Sequence, residues 1–244
     1  MIIITDAHIS KAAGNHATFF RMLASLESHQ QDLIFLGDIF DLWVALPRYE
    51  DDAQRRFVAW CREQKNHRTI GFMEGNHEYY LARNRAQDFS WCSAAAWRRV
   101  NSGTLLVHGD RINKRDRNYL WFRMIAKNPV VQFIMRVLPL GPRMTASLKR
   151  GLKNTNMDFR LQLPREEINL FADARFAEGI DTIFVGHFHR EYTYHHSDFK
   201  TLYVLPDWFS TGIVTVFDEK LRTACGVHWK QLSAQKKVET APRR

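Results

Sequence analysis

The sequence predicts an α/β fold, and two observations support that prediction. Short apolar runs rich in β-branched residues recur along the chain without clean alternation, which is typical of strands buried on both faces. Between the first of them lie segments whose apolar residues repeat at helical spacing. With 244 residues, of which 45% are hydrophobic and 13% aromatic, the chain has ample material for a buried core.

The predicted elements begin with the order strand, helix, strand, helix, strand. Strands are predicted at residues 2–5, 33–36, 69–73, 104–107 and 182–185, with closing strands at 201–205, 213–218 and 225–232. Helices are predicted at residues 17–28 and 51–64, where apolar side chains share one face. This alternation is the pattern expected of an α/β protein.

A basic helical segment interrupts this order. Residues 111–165 contain 13 Lys and Arg but only two acidic residues, a net charge of +11, whereas the whole chain carries +9. Their apolar residues follow helical spacings broken by Pro129 and Pro139. We therefore predict a core formed by residues 1–110 and 166–232, a helical cap insertion at 111–165 and a flexible polar tail at 233–244.

Composition excludes several classes of protein. The longest apolar runs fall far short of the roughly 20 residues that cross a bilayer. The first residues lack the basic region of a secretory signal, so none is expected. The cysteines Cys61, Cys92 and Cys225 are odd in number and widely separated, which excludes a disulfide scaffold and favours reduced thiols. We expect a globular cytoplasmic protein.

Five of the predicted strands are followed directly by residue types that bind metal ions. The motifs are D-x-H at 6–8, G-D-x-x-D at 37–41, G-N-H-E at 75–78, H-G-D at 108–110 and G-H-x-H at 186–189. Each motif is weak on its own, because Asp, Asn and His also cap helices and form tight turns. Functional groups gather beyond the carboxyl ends of strands in open α/β sheets, so the ordered set predicts one shared metal site.

The donor types indicate which ions this site would hold. Carboxylate, amide and imidazole groups without cysteine suit borderline to hard divalent ions such as Mn²⁺, Fe²⁺ or Zn²⁺, of which we expect Mn²⁺. One ion does not need so many ligands. Two ions about 3.5 to 4 Å apart, sharing a carboxylate, would use all of them and would activate a bridging water.

The ordered motifs resemble the signature of the calcineurin-like metallophosphoesterase superfamily, over residues 1 to about 218 apart from the insertion. The resemblance implies a β-sandwich flanked by helices in four layers, α/β/β/α. It implies that the first metal is held by Asp6, His8, Asp38 and His189, and the second by Asp38, Asn76, His108 and His187. It also implies catalytic roles for Asp38, Asn76 and His77, where His77 hydrogen-bonds the phosphate or protonates the leaving oxygen.

A branch of that superfamily is closer still. Residues 37–43, the H-G-D motif and the basic insertion are similar to the UDP-2,3-diacylglucosamine hydrolases of lipid A biosynthesis, in which a helical cap over two metals holds acyl chains. This resemblance implies hydrolysis of the pyrophosphate bond of UDP-2,3-diacylglucosamine to UMP and 2,3-diacylglucosamine 1-phosphate. It implies substrate contacts by Asn76, His77, Asp116, Lys149, Lys153, Asn154 and His187.

The composition of the insertion fits an amphiphilic, anionic substrate at the inner membrane surface. Apolar surface would come from Phe122, Ile125, Phe133, Ile134, Val137 and Leu138, and positive charge from Arg115, Arg117, Lys149, Arg150 and Lys153. The alternative is that the apolar residues only pack the insertion against its own domain.

Two other functions stay open. One is a metallophosphodiesterase or nucleotide pyrophosphatase that acts on a soluble substrate. The other is a nuclease or nucleic-acid-binding protein, suggested by the basic segment, although its aromatic residues are not interleaved as stacking platforms. Nucleic acid is therefore not the expected partner.

Overall fold

The computed structural model describes residues 1–113, 117–137, 163–197 and 199–232. The strands of these residues are β1 (Ile2–Ile4), β2 (Leu33–Phe35), β3 (Trp43–Val44), β4 (Ile70–Met73), β5 (Glu78–Tyr79), β6 (Trp91–Ser93), β7 (Arg98–Arg99), β8 (Thr104–Val107), β9 (Thr182–Val185), β10 (Tyr192–Ser197), β11 (Lys200–Val204), β12 (Ile213–Asp218) and β13 (Thr223–His228). The helices are α1 (His16–Leu26), α2 (Asp52–Gln64), α3 (Leu81–Asn84), α4 (Arg117–Ala126), α5 (Pro129–Val137), α6 (Arg165–Ala177) and α7 (Trp208–Thr211).

Most of these strands belong to two sheets. Within the described ranges, one sheet has the order β13-β12-β1-β2-β4-β6 and the other the order β10-β11-β9-β8-β7. Strands β1, β2, β4 and β6 run parallel in the first sheet, and β8, β9 and β11 run parallel in the second. Their carboxyl ends therefore meet at one edge of each sheet, which is where the candidate ligands follow.

The two sheets pack face to face, and helices cover their outer faces. Ile3 and Phe184, from β1 and β9, lie in the cluster between the sheets, whereas Ile2 and Ile4 point to the opposite face of β1. There they pack with apolar residues of α1 and α2, and α6 covers the second sheet in the same way. The predicted four-layer α/β/β/α sandwich is confirmed. Strands buried on both faces explain why the apolar runs do not alternate.

The sequence predicted the long elements better than the short ones. The predicted strands and the first two helices are present, with shifts of one or two residues at their ends. The closing strand expected at 225–232 was wrong for its last four residues, because the strand ends at His228 and residues 229–232 are helical. Strands β3, β5 and β7 have only two residues each, too few for a periodic signal.

The described part of the predicted insertion contains a helical pair, α4 and α5. Pro129 opens α5, and the Asn128 side chain accepts a 2.8 Å hydrogen bond from the Val130 N–H. One face of the pair packs on Val44, Leu46, Tyr79 and Tyr80 of the core. Of the helices in the described ranges, none combines the length and the apolarity that crossing a membrane requires. Residues 138–162 of the predicted cap and the predicted tail at 233–244 lie outside the described residues.

Candidate metal centre

The residues after β1, β2, β4, β8 and β9 converge on one cluster. Their ligand atoms form three groups within which all atoms lie within 4.8 Å of one another: Asp6 with His8 and His189, His8 with Asp38 and His77, and Asp38 with His108 and His187. Asn76 joins the third group, because its Oδ1 lies 3.2 Å from His108 Nε2. The structure thus brings together every residue that the resemblance implied as a metal ligand, and Asp38 lies where two of the groups meet.

The backbone at this cluster is strained. Asp6, His8, Asp38, His187 and His189 all adopt left-handed conformations, with φ between 42° and 71°. Such angles are uncommon for residues other than glycine. They persist where the surrounding structure enforces them, and they concentrate at functional sites. The sharp turn that follows each strand allows both members of a D-x-H or H-x-H pair to face the cluster.

One oxygen of the Asp6 carboxylate is held by the protein and the other is left for a cation. Oδ2 accepts hydrogen bonds from the Thr5 hydroxyl at 2.6 Å and the His187 N–H at 2.8 Å. Oδ1 is buried, has no hydrogen-bond partner among the described residues and lies 3.6 Å from His189 Nε2. Burial raises the pKa of Asp6. A buried oxygen without a partner is costly, so this donor set fits a divalent cation.

His108 is oriented for ligation through Nε2. Its Nδ1 lies 2.8 Å from the carbonyl oxygen of Leu36, which can only accept, so Nδ1 carries a proton. Nε2 therefore faces Asp38 Oδ1 at 3.4 Å. Burial opposes protonation of His108, but the charge and hydrogen bond of Asp38, together with the charges of Asp6 and Asp110, raise its pKa to about 10. In the metal-free protein His108 is protonated, and ligation requires Nε2 to lose its proton.

His8 and His187 are prepared for ligation in the opposite way. Burial, together with the neighbouring His77, lowers the pKa of His8 to about 3. Burial, together with His108, lowers the pKa of His187 to about 4. Both imidazoles are neutral near pH 7, which is the state that binds a metal. His8 Nε2 also lies 3.3 Å from His189 Nε2, so the two nitrogens are close enough to share one ion.

His77 lies beside the cluster and is fixed by two contacts. Its Nδ1 donates to the carbonyl oxygen of Asp41, and its backbone N–H donates to Asp38 Oδ1 at 2.9 Å. The other ring nitrogen, Nε2, lies 3.8 Å from Asp38 Oδ2, and the ring centre lies 4.7 Å from that of His8. A nitrogen in this position is close enough to contact a phosphate bound at the ligands.

Glu78 organises the cluster, although sequence reasoning assigned no role to it. Its Oε2 accepts from the backbone N–H groups of Asp38 at 2.9 Å and Gly75 at 2.8 Å, and Oε1 accepts from Ile39 at 2.9 Å. One buried carboxylate thus joins the loop after β2 to the loop after β4. The available signal was its place directly after Gly75-Asn76-His77 in the motif.

Asp207 is a second residue that sequence reasoning missed. Its carboxylate caps α7 by accepting from the Ser210 N–H at 2.7 Å, and the same Oδ2 lies 3.9 Å from His189 Nδ1. Burial opposes ionisation of Asp207, but its contacts with His189 and Ser210 lower its pKa. Asp207 therefore helps to orient His189, in the way that carboxylates orient metal-binding histidines. It follows no recognisable motif, so the sequence offered no signal.

The insertion is tied to the ligand loops by buried ion pairs. Arg123 of α4 contacts Asp110, two residues after His108. Lys127 Nζ lies 3.1 Å from Glu74 Oε2 and 2.7 Å from the Gly75 carbonyl oxygen. Two basic residues of the insertion are therefore used inside the protein, and its +11 charge is not wholly available to an external anion. The predicted substrate residues Asp116, Lys149, Lys153 and Asn154 lie outside the described residues.

A cleft of about 700 Å³ opens above the cluster. Its lining combines candidate ligands with small and aromatic residues: His8, Ser10, Ala12, Ala13, Asp38, Asp41, His77, His187, Phe188, His189, Arg190 and Phe209. Polar ligands at the floor and apolar residues at the rim are the arrangement of a small-molecule site.

Comparisons with known proteins agree with this site. Residues 1–191 match the family model of the calcineurin-like phosphoesterases. Over 242 residues the chain is 27% identical to UDP-2,3-diacylglucosamine hydrolase of Pseudomonas syringae pv. syringae (strain B728a), covering 90% of this chain and 92% of the relative. It is 29% identical over 205 residues to the protein of the same name from Azotobacter vinelandii, covering 78% and 81%.

Among solved structures, Yfce, a phosphoesterase from E. coli, is similar with a TM-score of 0.41 and 14% identity, covering 93% of this chain and 97% of that one. The family match spans the five ligand motifs from Asp6 to His189. The predicted superfamily is confirmed: the chain belongs to the calcineurin-like phosphoesterase family and is a metal-dependent hydrolase.

Proposed function

We propose that this chain hydrolyses the pyrophosphate bond of UDP-2,3-diacylglucosamine, giving UMP and 2,3-diacylglucosamine 1-phosphate, in lipid A biosynthesis. The relatives from Pseudomonas and Azotobacter carry the name of that activity and align over most of the chain. The structural observation that carries the proposal is the insertion, which is bonded to Asp110 and Gly75 beside the ligands and leaves apolar side chains exposed on its other side.

That surface is separate from the face that packs on the core. Met135 and Ala126 are buried against Tyr79 and Tyr80, and Phe122 packs beside them. The opposite side of the helical pair exposes apolar residues, with Phe133 65% exposed and Ile125, Ile134 and Val137 also accessible. Packing on the core therefore does not account for all the apolar residues of the insertion. Each CH₂ of an acyl chain buried on such a surface contributes about 0.8 kcal/mol.

The attachment of the insertion supports the same role. The Tyr80 hydroxyl donates to the Ala126 carbonyl at 2.6 Å, which fixes the carboxyl end of α4 to a residue three positions beyond His77 in the chain. A diacylated sugar held by the insertion would thus have its phosphates near the cluster. Contact of this surface with the cytoplasmic side of the inner membrane would give the protein access to its lipid.

The resemblance implies the two ligand sets, and the proximity of these residues in the structure supports them. One ion, which we propose to be Mn²⁺, would be held by Asp6, His8, Asp38 and His189, and the other by Asp38, Asn76, His108 and His187. Such a pair would polarise the phosphate oxygens and activate a water for in-line attack on phosphorus.

Side chains of the protein would carry out the remaining steps. Asn76 and His187, besides holding the second ion, would contact the phosphate. His77 keeps its ring fixed through Nδ1 and the Asp41 carbonyl, so that Nε2 hydrogen-bonds the phosphate. In its protonated form, Nε2 also supplies the proton that the leaving oxygen needs.

The test compares three substrates on Mn²⁺-loaded protein: UDP-2,3-diacylglucosamine, its deacylated analogue UDP-glucosamine, and bis(4-nitrophenyl) phosphate. We expect release of UMP from the diacylated substrate at least about 100-fold faster per mole of enzyme than from the deacylated one, because acyl burial positions the phosphates. The Asp38→Asn variant should lose turnover. Asparagine, like aspartate, tolerates the left-handed backbone at this position. Equal rates for acylated and deacylated substrates would discard the lipid role and favour the soluble phosphodiesterase.

A further inference from the structure

An aromatic ring stands at the rim of the metal cleft and is not part of the protein core. The side chain of Phe209 is 50% exposed, and its ring centre lies 6.3 Å from that of His8 with the two planes at 87°. Its neighbour Trp208 points the other way and packs edge-on against Phe19 in the core, with ring centres 5.4 Å apart. The two rings of the α7 turn thus differ in role, since one anchors the turn and the other faces the cleft.

The backbone of Phe209 is anchored to the residues that directly follow β1, where the first ligand lies. The Phe209 N–H donates to the Asp6 carbonyl at 3.1 Å, and the Trp208 N–H donates to the Thr5 carbonyl at 3.0 Å. Asp207 caps the same turn at Ser210 N–H. Because the turn is bonded to residues 5 and 6, the backbone that carries Phe209 is held beside the cluster, which favours a preorganised binding residue.

This rim is a different surface from the one occupied by the insertion. Among the described residues that line the cleft, none belongs to α4 or α5. The insertion reaches the core through Glu74, Tyr80 and Asp110, which do not line the cleft. A substrate with its phosphates at the ligands therefore meets two distinct surfaces, an aliphatic one on the insertion and an aromatic one at Phe209.

We propose that Phe209 is a nucleobase subsite, on which the base of a nucleoside phosphate stacks while the phosphate contacts the ligands. The inference rests on the proposed function, because it assigns the nucleoside of a UDP-linked substrate to the Phe209 rim and its acyl chains to the insertion. A flat, exposed ring on an anchored backbone suits the π-face of a base, and base–aromatic stacking requires no hydrogen-bonding groups on the protein.

The test is isothermal titration of Mn²⁺-loaded protein with UMP and with ribose 5-phosphate, which has the phosphate and the sugar but no base. We expect UMP to bind about 10-fold more tightly, which corresponds to about 1.4 kcal/mol of stacking. Phe209→Leu keeps apolar volume without a π-face, so it should bind UMP less than about 2-fold more tightly than ribose 5-phosphate. Phe209→Trp should preserve or increase the ratio of the two affinities. Phe199→Ala removes another exposed ring, on the turn between β10 and β11, and should leave the ratio unchanged.

The subsite is overturned if Phe209→Leu still binds UMP about 10-fold more tightly than ribose 5-phosphate. That outcome includes a variant in which both ligands bind more weakly by the same factor. The outcome is independent of lipid turnover. If UDP-2,3-diacylglucosamine is not hydrolysed but the ratio depends on Phe209, the subsite stands and the proposed lipid substrate falls. If the lipid is hydrolysed but the wild-type protein binds UMP and ribose 5-phosphate equally well, the subsite is wrong and the proposed function stands.

Discussion

The Nε atom of Arg123, on helix α4 of the insertion, lies 2.5 Å from Oδ2 of Asp110, two residues beyond His108. Both side chains are buried. Burial opposes ionisation of Asp110, but the adjacent guanidinium, together with the charges of His108, His187 and Lys127, lowers the pKa of the carboxyl group. A surface insertion and a metal-site loop thus depend on each other through a buried charge pair.

Replacement of Arg123 should therefore destabilise the core as well as the insertion. We expect Arg123→Met to lower the free energy of unfolding by about 3 kcal/mol, because it removes a charged partner of a buried carboxylate. Urea denaturation of the metal-free protein measures the change. The matched control is Arg136→Met on α5, where the arginine is exposed and the loss should stay below about 0.5 kcal/mol. Equal losses in the two variants would contradict a structural role for the Arg123–Asp110 pair.

Glu78 should be sensitive even to a substitution that preserves its shape. A glutamine side chain offers one accepting oxygen and one NH₂ group, so it cannot accept from all three backbone N–H groups that Glu78 now satisfies. We expect Glu78→Gln to cost about 1 to 3 kcal/mol and to weaken Mn²⁺ binding, because the loops bearing Asp38 and Asn76 separate. Glu63→Gln, on the exposed face of α2, is the control. Unchanged stability and metal affinity would show that Glu78 does not join the two loops.

Gly75 should tolerate no side chain, because other side chains of the cluster occupy the space. A Cβ at this position would lie 2.2 Å from Asp38 Oδ1 and 2.7 Å from His108 Nε2. Gly75→Ala should therefore reduce the bound Mn²⁺ well below the wild-type content, measured per chain by elemental analysis after gel filtration. Gly179→Ala meets no atom within 4 Å and carries only the strain of its positive φ, about 1 to 2 kcal/mol. Wild-type metal content in Gly75→Ala would be inconsistent with the proposed ligands.

Metal binding should release a proton from His108. The pKa of this group is raised to about 10 in the metal-free protein, so the imidazole is protonated at pH 7 to 9, whereas a metal requires its neutral form. The apparent affinity for Mn²⁺ should rise with pH through this window, by up to about tenfold per pH unit, and level off above the raised pKa.

Titration calorimetry at pH 7.5, in buffers of different ionisation enthalpy, gives the number of protons released. We expect about one for the site that contains His108. His195→Asn alters an exposed histidine of β10 and should leave this number unchanged. A binding enthalpy that is independent of the buffer would show that His108 is neutral before the metal arrives.

The ligand motifs could be predicted because their information is local. Asp6 and His8, or His187 and His189, stand two residues apart directly after a buried strand, and the parallel strands of each sheet bring such ends to a common edge. The same locality explains why the strands and the helices α1 and α2 were found from apolar spacing. The two-residue strands β3 and β5 escaped prediction because they hold their conformation only by pairing with each other.

The sequence by itself determined the fold class, the family and the residues that form the metal cluster, because each of these is written in short motifs beside strands. Only the tertiary structure decided which groups support them. Glu78 meets Asp38 across 40 positions, Asp207 meets His189 around a turn, and Arg123 meets Asp110 from an inserted helix. Such contacts depend on which loops become neighbours when the two sheets pack, and no local pattern of residues encodes that packing.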